Sequence, residues 1–383
     1  YYADSYLKAF QARIVDRADD GRRVYLDRTA FYPTSGGQLF DTGEIGGAAV
    51  VDVVDEGERI AHLLTNPPAG DVVDCRIHWQ RRFDHMQQHS GQHLLSAVLS
   101  EMHGLTTVSV HLGEESSTVD VDAASVSAGQ LRSTEERSNA LVAENRPVDV
   151  SCSEASEGLG LRKASERTGV LRIVTMQGLD RSACGGTHVR STGEIGPVQL
   201  RKVEKIRNTV RIEFLCGMRA VRRARADFDA LSRIAQLYSS ALDEAPALVA
   251  SQLEAARGAE KLRQRLEADL ARYQGAELYS ATPPDVDGVR RASRRAASMD
   301  DLRLLAQSFC AHTKAVFAGW VAKPPSVILV TSADSGVDAG KVMKAVLAKA
   351  GGRGGGSARM AQGSLPADAS FESVLGSLLE STQ

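Results

Sequence analysis

The sequence is short of cysteine, of aromatic side chains and of any excess of one charge, and each shortage excludes something. Its five cysteines, at 75, 152, 184, 216 and 310, are odd in number, scattered, and nowhere form a CxxC pair. A secreted disulfide scaffold or a Cys-rich zinc knuckle would show the opposite pattern. Aromatic residues make up 5% of the chain and none interleaves the basic stretches, so stacking of bases on a sheet is not supported. Lys+Arg total 46 against 48 Asp+Glu, a formal net charge of -2. That balance excludes a nonspecific polycation, and a nucleic-acid partner would have to be held by local patches. No run approaches 18 consecutive apolar residues and no signal-like segment opens the chain, so a cytoplasmic protein without a membrane span is expected. No Asp-His-His tripeptide occurs, which removes the acidic metal centre of a phosphodiesterase.

What is present is 383 residues, 43% of them apolar, enough for two or three domains. Residues 1 to about 80 alternate short apolar runs with turns. The runs 24–26, 50–54 and 72–77 predict strands of a small barrel-like sheet. Phe83, Met86, Leu94, Leu95, Val98 and Met102 then fall at helical intervals, with Gly104 as the stop. A helix is expected from Ser127 to Asn145, ended before Pro147, and strands at 171–174, 198–200 and 210–215. Val221, Ala224, Phe228, Leu231, Ala235, Tyr238 and Leu242 have the 3-then-4 spacing of a coiled-coil seam. Leu262, Leu266 and Leu270 continue it on a second helix beyond Pro246, with Gly275 and Pro283-Pro284 marking a boundary. A strand at 327–330, a helix at 341–350 and a glycine-dominated loop at 351–356 follow.

His89 and His93 are four apart on the predicted helix, so both imidazoles lie on one face about one turn apart. Far downstream, Cys184-Gly185-Gly186-Thr187-His188 offers a thiol and a third imidazole in a tight turn whose glycines let the backbone fold back. Together they form a His3Cys set that suits Zn²⁺ over Mg²⁺ or Ca²⁺. The lack of Cys pairs favours a catalytic ion, although four protein ligands also suit a structural one. His85, a turn upstream, is read as an outer neighbour or pocket lining rather than a fifth ligand.

The stretches Met86 to Leu95 and Cys184 to Val189 resemble the paired motifs of alanyl-tRNA editing proteins, a family spanning the editing domain of alanyl-tRNA synthetase and freestanding AlaX proteins. Phe31 to Gln38, followed by Asp41-Thr42-Gly43, is similar to the family's glycine-rich motif, and Gly193 to Gly196 supplies a fourth match. The 351–356 run with Ala361-Gln362-Gly363 resembles the synthetase's C-terminal DHHA1 domain.

The resemblance implies an α+β chain. A glycine-rich barrel is expected at 1–82, a zinc-dependent editing domain at 83–217, a helical hairpin or coiled-coil arm at 218–275, and an α/β, DHHA1-like tRNA-binding domain at 276–383. With the barrel starting at once, no aminoacylation domain is expected. The implied activity is zinc-dependent hydrolysis of tRNA(Ala) mischarged with serine, and less securely with glycine.

Gln92 and Thr187 are candidates to orient water or the ribose hydroxyls. Thr34 and Ser35 are candidates to read the seryl hydroxyl, with Gly36, Gly37 and Gln38 beside the acyl group. Cys184 is the ligand expected to let go if the ion needs an open position. Residues 339–367 contain no acidic side chain, and Lys341, Lys344, Lys349, Arg353 and Arg359 are the candidate tRNA contacts. Arg290, Arg291, Arg294 and Arg295 form a second basic cluster, and a solvated helix face is the alternative explanation of either cluster taken alone. A homodimer through the arm or C-terminal region is a further expectation. Competing readings are a noncatalytic tRNA-binding factor with a structural zinc, and a zinc hydrolase of another ester.

Overall fold

The computed structural model describes residues 1–154, 159–163, 169–367 and 369–383. They form two compact units, Tyr1–Leu237 and Tyr238–Gln383. Among the described residues no helix is long and apolar enough to cross a membrane.

Six strands open the first unit: β1 (Ala9–Ala18), β2 (Arg23–Leu26), β3 (Gly43–Ile45), β4 (Ala48–Asp55), β5 (Ile60–Leu64) and β6 (Val72–Ile77). They close into an antiparallel barrel in the order β1-β2-β5-β4-β3-β6. The two-residue period sets the interior: in β6, Val73, Cys75 and Ile77 are buried while their neighbours face out. They join Val24, Phe31, Ile45 and Val53 in the barrel core.

Helix α1 (Trp79–His103) leaves the barrel and ends at Gly104, whose φ of 65° is left-handed and whose N–H reaches Ser100 O. One buried ion pair fixes α1 to the barrel. Arg82 Nε donates to both carboxylate oxygens of Asp41 at 3.0 Å, and Arg82 Nη1 donates to Ser5 O at 2.8 Å. Neither side chain is exposed, so the charges are matched inside the protein.

From His85 to Leu99 every residue of α1 is buried. The helix packs on α2 (Ala128–Ala143) and on a four-stranded sheet of order β12-β13-β8-β7. In chain order that sheet's strands are β7 (Thr107–Leu112), β8 (Ser117–Val121), β12 (Val198–Ile206) and β13 (Thr209–Cys216). Ser127 caps α2, its hydroxyl accepting from Gln130 N while the Gln130 side chain accepts from Ser127 N. A three-stranded antiparallel sheet, β9 (Val148–Glu154), β10 (Val170–Met176) and β11 (Asp180–Ala183), lies in the order β11-β10-β9. The unit ends with α3 (Met218–Leu237).

The second unit begins with α4 (Ala245–Ala281). Its sheet has the order β14-β15-β16-β18-β17, from β14 (Arg290–Ala296), β15 (Ala315–Ala322), β16 (Pro325–Thr331), β17 (Arg353–Gly356) and β18 (Met360–Ser364). Only the β14–β15 pairing in it is parallel. Helices α5 (Met299–Phe309), α6 (Ala339–Lys349) and α7 (Phe371–Glu380) pack against it. The fold is therefore α+β, a small barrel first and an α/β arrangement last.

Three expectations need correction. Of the expected boundary at Gly275 and Pro283-Pro284, only the prolines mark a helix end: α4 runs through Gly275 to Ala281, and the glycine serves a close approach to the α5 end, since a Cβ there would lie 2.6 Å from Ser308 Cβ. The glycine run is not a free loop. Residues 353–356 form edge strand β17, paired with β18, and a Cβ on Gly354 would meet Gly363 Cα at 2.5 Å. The four arginines from 290 to 295 lie on strand β14, not on a helix. Arg291 is spent on Asp285 and Asp287, at 2.8 and 2.6 Å. Of the expected seam residues, Val221 and Phe228 on α3 and Leu262, Leu266 and Leu270 on α4 are exposed.

Candidate metal centre

The helical period of α1 and the turn after β11 bring His89, His93, Cys184 and His188 together. Their ligand atoms all lie within 4.8 Å of one another. The Cys184 thiol sulfur is 3.3 Å from His89 Nε2 and 3.3 Å from His188 Nε2. Bonds of roughly 2.0–2.3 Å to a tetrahedral ion give ligand separations of about 3.3–3.7 Å, so this spacing fits zinc. Gly186 is needed here for space. A Cβ on it would sit 2.1 Å from His89 Cε1, so any larger residue would occupy the imidazole's place.

Each imidazole is oriented from behind by its other nitrogen. His89 Nδ1 donates to Gln38 Oε1 at 2.9 Å, and His93 Nδ1 to Asp180 Oδ2 at 3.0 Å. His188 Nδ1 lies 3.1 Å from Ser90 Oγ, which also accepts from Val189 N. All three Nε2 atoms are thereby left toward the common point, the tautomer a metal ligand needs. The outer partners are themselves held. Asp180 accepts from Arg162 at 2.7 Å and Ser182 at 2.9 Å, and Gln38 Oε1 accepts from Thr187 N at 3.2 Å.

The electrostatics agree with this donor set. Burial pushes the Cys184 thiol up, but the neighbouring His89 and His188 rings outweigh it and hold the thiol well below its ordinary range. Burial works against a charged His93, yet the Asp180 carboxylate and the Cys184 sulfur raise its pKa. Burial and the His89 ring lower that of His188. A thiolate and three imidazoles, one of them backed by a carboxylate, form a borderline-soft N/S set that fits Zn²⁺. His93 must release its proton before its Nε2 can ligate.

The cluster is open on one side. His89, His93, Cys184, Gln92 and Arg172 line a cleft of about 530 Å³, and Gln92 and His93 border a second of about 330 Å³. Arg172 is a residue that the motifs left unassigned. It shapes the ligand turn, donating from Nη1 to Cys184 O and Gly186 O, each at 2.8 Å. Gln92 Nε2 donates to Ser96 Oγ at 2.9 Å, which leaves its carbonyl oxygen as the amide's acceptor.

The other candidates are placed differently. Thr187 is fully buried and bonded to Gln38 Nε2 at 2.9 Å, so it stands behind the ligands and not in the cleft. Gln38 is likewise fully buried and serves His89. Of the glycine-rich turn, Gly36 lines the cleft, Thr34 Oγ1 accepts from Phe40 N at 3.2 Å, and Thr34, Ser35 and Gly37 are exposed. His85 faces a separate cavity. Asp180 and Ser90 escaped the sequence reading, because no spacing rule ties a carboxylate on β11 to a helix ring across 87 positions. In the second unit, Lys341, Lys344 and Lys349 are exposed on α6, as are Arg353 on β17 and Arg359 beyond it. Arg359 also donates to Thr331 O at 2.8 Å.

Comparison with known proteins adds independent findings. Residues 171–213 match the family described as the threonyl and alanyl tRNA synthetase second additional domain, and residues 292–382 match the DHHA1 domain. The chain is 29% identical to the alanyl-tRNA editing protein AlaX-L of Pyrococcus horikoshii, over 96% of this chain and 94% of that protein. It is 31% identical to the alanine–tRNA ligase of Pyrococcus furiosus over 99% of this chain, but spans only 43% of that ligase. It is 29% identical to the alanyl-tRNA editing protein Aarsd1 of Mus musculus, over 78% of this chain and 73% of that protein.

Proposed function

This chain is a relative of the alanyl-tRNA editing proteins, and on that footing we propose that it is a zinc-dependent hydrolase. Its proposed reaction is cleavage, in trans, of the ester joining serine, and secondarily glycine, to tRNA(Ala). The observation that carries the reading is the convergence of three imidazoles and a thiol, with His89, His93 and Cys184 lining an open cleft and each imidazole held from behind in its ligating tautomer. A zinc ion on His89, His93, Cys184 and His188 would supply Lewis-acid chemistry beside the acyl ester.

The chain's own residues do the rest. The cleft takes the acylated ribose, with the backbone at Gly36 and the Arg172-braced ligand turn as its walls. Gln92 presents a carbonyl acceptor whose orientation Ser96 fixes. A seryl hydroxyl pairs with such an acceptor and an alanyl methyl group cannot, which gives discrimination of about 1–3 kcal/mol. Thr34 and Ser35 remain the second place to look for that contact. Lys341, Lys344, Lys349, Arg353 and Arg359 supply a cationic, exposed surface for the tRNA backbone.

The test is deacylation of matched seryl-, glycyl- and alanyl-tRNA(Ala) by the metal-loaded protein. Loss of the seryl ester with alanyl-tRNA spared supports the reading, and equal hydrolysis of all three, or of none, rejects it. His93→Ala should lose bound metal and activity together. The second reading, a noncatalytic tRNA-binding factor with a structural zinc, draws on the completeness of the four-ligand set. It predicts tRNA binding without turnover in the same assay.

A further inference from the structure

The cleft beside the clustered ligands is lined, among the described residues, by one arginine, no lysine and no carboxylate. That arginine, Arg172 on β10, is only 8% exposed. Its Nε donates to Tyr2 O at 3.2 Å, and its Nη1 to Cys184 O and Gly186 O, each at 2.8 Å. All three acceptors are main-chain carbonyls. Burial works against its charge, and the nearest opposing groups are the Cys184 sulfur and the Tyr2 phenol rather than a carboxylate. An arginine buried in this way is costly and calls for a reason. Bracing the turn is one, but a neutral donor would brace it without the cost of the charge.

The Nη2 atom supplies another reason. It donates to no described residue, yet it is not among the protein's sealed, unpaired side-chain atoms. Two N–H groups of a fixed cation are therefore open on the cleft that the side chain lines. On the hydrolase reading, which this inference deepens and rests on, the substrate is neutral at its ester and cationic at its α-amino group. Negative charge reaches the reacting centre only as water adds, when the carbonyl π pair moves onto oxygen. The substrate's other anion, the phosphate of its terminal nucleotide, is separated from that carbon by a ribose. Arg172 is tied to the carbonyls of Cys184 and Gly186, inside the ligand turn, which places its guanidinium at the reacting end of the cleft.

We infer that Arg172 is a catalytic residue whose Nη2 donates to the ester's carbonyl oxygen as that oxygen becomes anionic. Water adds to the carbon and gives up a proton, and the guanidinium holds the oxyanion that results. Collapse re-forms the carbonyl and breaks the bond to the ribose oxygen, which takes up the proton that the water lost. Arg172 stays charged throughout and transfers no proton. A donor fixed beforehand needs no rearrangement as the charge develops, the condition under which it is most effective.

Two unreactive ligands test this on the full, metal-loaded chain. One is the adenosine 3′-phosphonate ester of the serine skeleton, tetrahedral and anionic where the natural ester is attacked. The other is 3′-serylamido-3′-deoxyadenosine, planar and neutral at that point. The parent is expected to prefer the phosphonate by about 100-fold or more. Arg172→Lys has a single nitrogen, which cannot serve both the two carbonyls and the cleft. It should lose about tenfold or more of that preference while keeping its zinc and its affinity for the amide. Its kcat on the seryl ester should fall by about 100-fold with KM little changed. An equal loss for both ligands assigns Arg172 to turn bracing alone and overturns the inference. A loss seen only with 5′-phosphorylated forms of the two ligands assigns it to the nucleotide and overturns it too. If the lysine variant releases zinc, a crystal structure of the parent with the phosphonate decides. A phosphonate oxygen within about 3.2 Å of Nη2 supports the inference, and one beyond hydrogen-bond reach overturns it. Binding of neither ligand by the parent overturns the hydrolase reading as well, whereas tight phosphonate binding indifferent to Arg172 overturns this inference alone.

Discussion

Gln38 Oε1 lies 2.9 Å from His89 Nδ1 and 3.2 Å from the Thr187 amide nitrogen, so one side chain of the barrel's glycine-rich turn braces both ligand-bearing segments. Asp180 does the same for His93 from β11. Removing such outer partners typically costs a metal site 10–100-fold in affinity. Gln38→Ala and Asp180→Asn are each expected to weaken zinc binding by about that factor. Competition against a chromogenic chelator reads this directly, and affinities equal to the unaltered protein's would refute the bracing role.

Gly186→Ala tests the space argument. The added methyl group would lie 2.1 Å from His89 Cε1, so the ring must leave its position. The expected result is loss of tight zinc binding with a stability cost of about 1–3 kcal/mol, as for other overpacked sites. If the variant holds zinc as tightly as the parent, the turn is looser than described.

His62, inside the barrel, gives a pH dependence with a definite sign. It is fully buried, lies 2.9 Å from Thr29 Oγ1, and burial pushes its pKa down from 6.5 to about 4. Above pH 6.5 both folded and unfolded chains carry it neutral, and its contribution is constant. As pH falls, the unfolded chain takes up the proton first, so stability is lost until the folded pKa near 4 is reached. At about 1.4 kcal/mol per pKa unit the total is about 3 kcal/mol. Urea unfolding of the parent and of His62→Gln at pH 7, 5.5 and 4 should show the difference between them shrinking by about that amount. A constant difference would remove His62 as the cause.

Exposed cations on α6 should act through salt-sensitive contacts if they meet tRNA. Lys344→Gln and Lys349→Gln are each expected to reduce the slope of log affinity against log salt by about one. Both residues are exposed, so stability should change by under about 0.5 kcal/mol. An unchanged slope would place the RNA elsewhere.

Regular periodicity made much of this molecule legible in its sequence. The α1 histidines follow from a four-residue spacing, the extent of α2 from Ser127 to the stop before Pro147, and the barrel strands from short apolar runs between turns. What stayed hidden depends on contacts between distant segments. Asp180 has no local signature, and its role exists only once β11 docks beside α1. Glycine misled twice, at 275 and at 353–356, because a missing side chain signals either a break or a close approach and sequence does not distinguish them. Thr187 looked available for chemistry from its place beside His188, yet the turn that presents one side chain outward necessarily buries its neighbour against Gln38.

The separation of the ligands along the chain has a consequence for synthesis. His89 and His93 emerge early, but the thiol and the last imidazole belong to residues 184 and 188. While a ribosome has yet to extrude that turn, the nascent polypeptide has only half of a coordination sphere. The four-ligand cluster is therefore a late-assembled device, completed only when the second half of the first unit has been translated and folded back on the first.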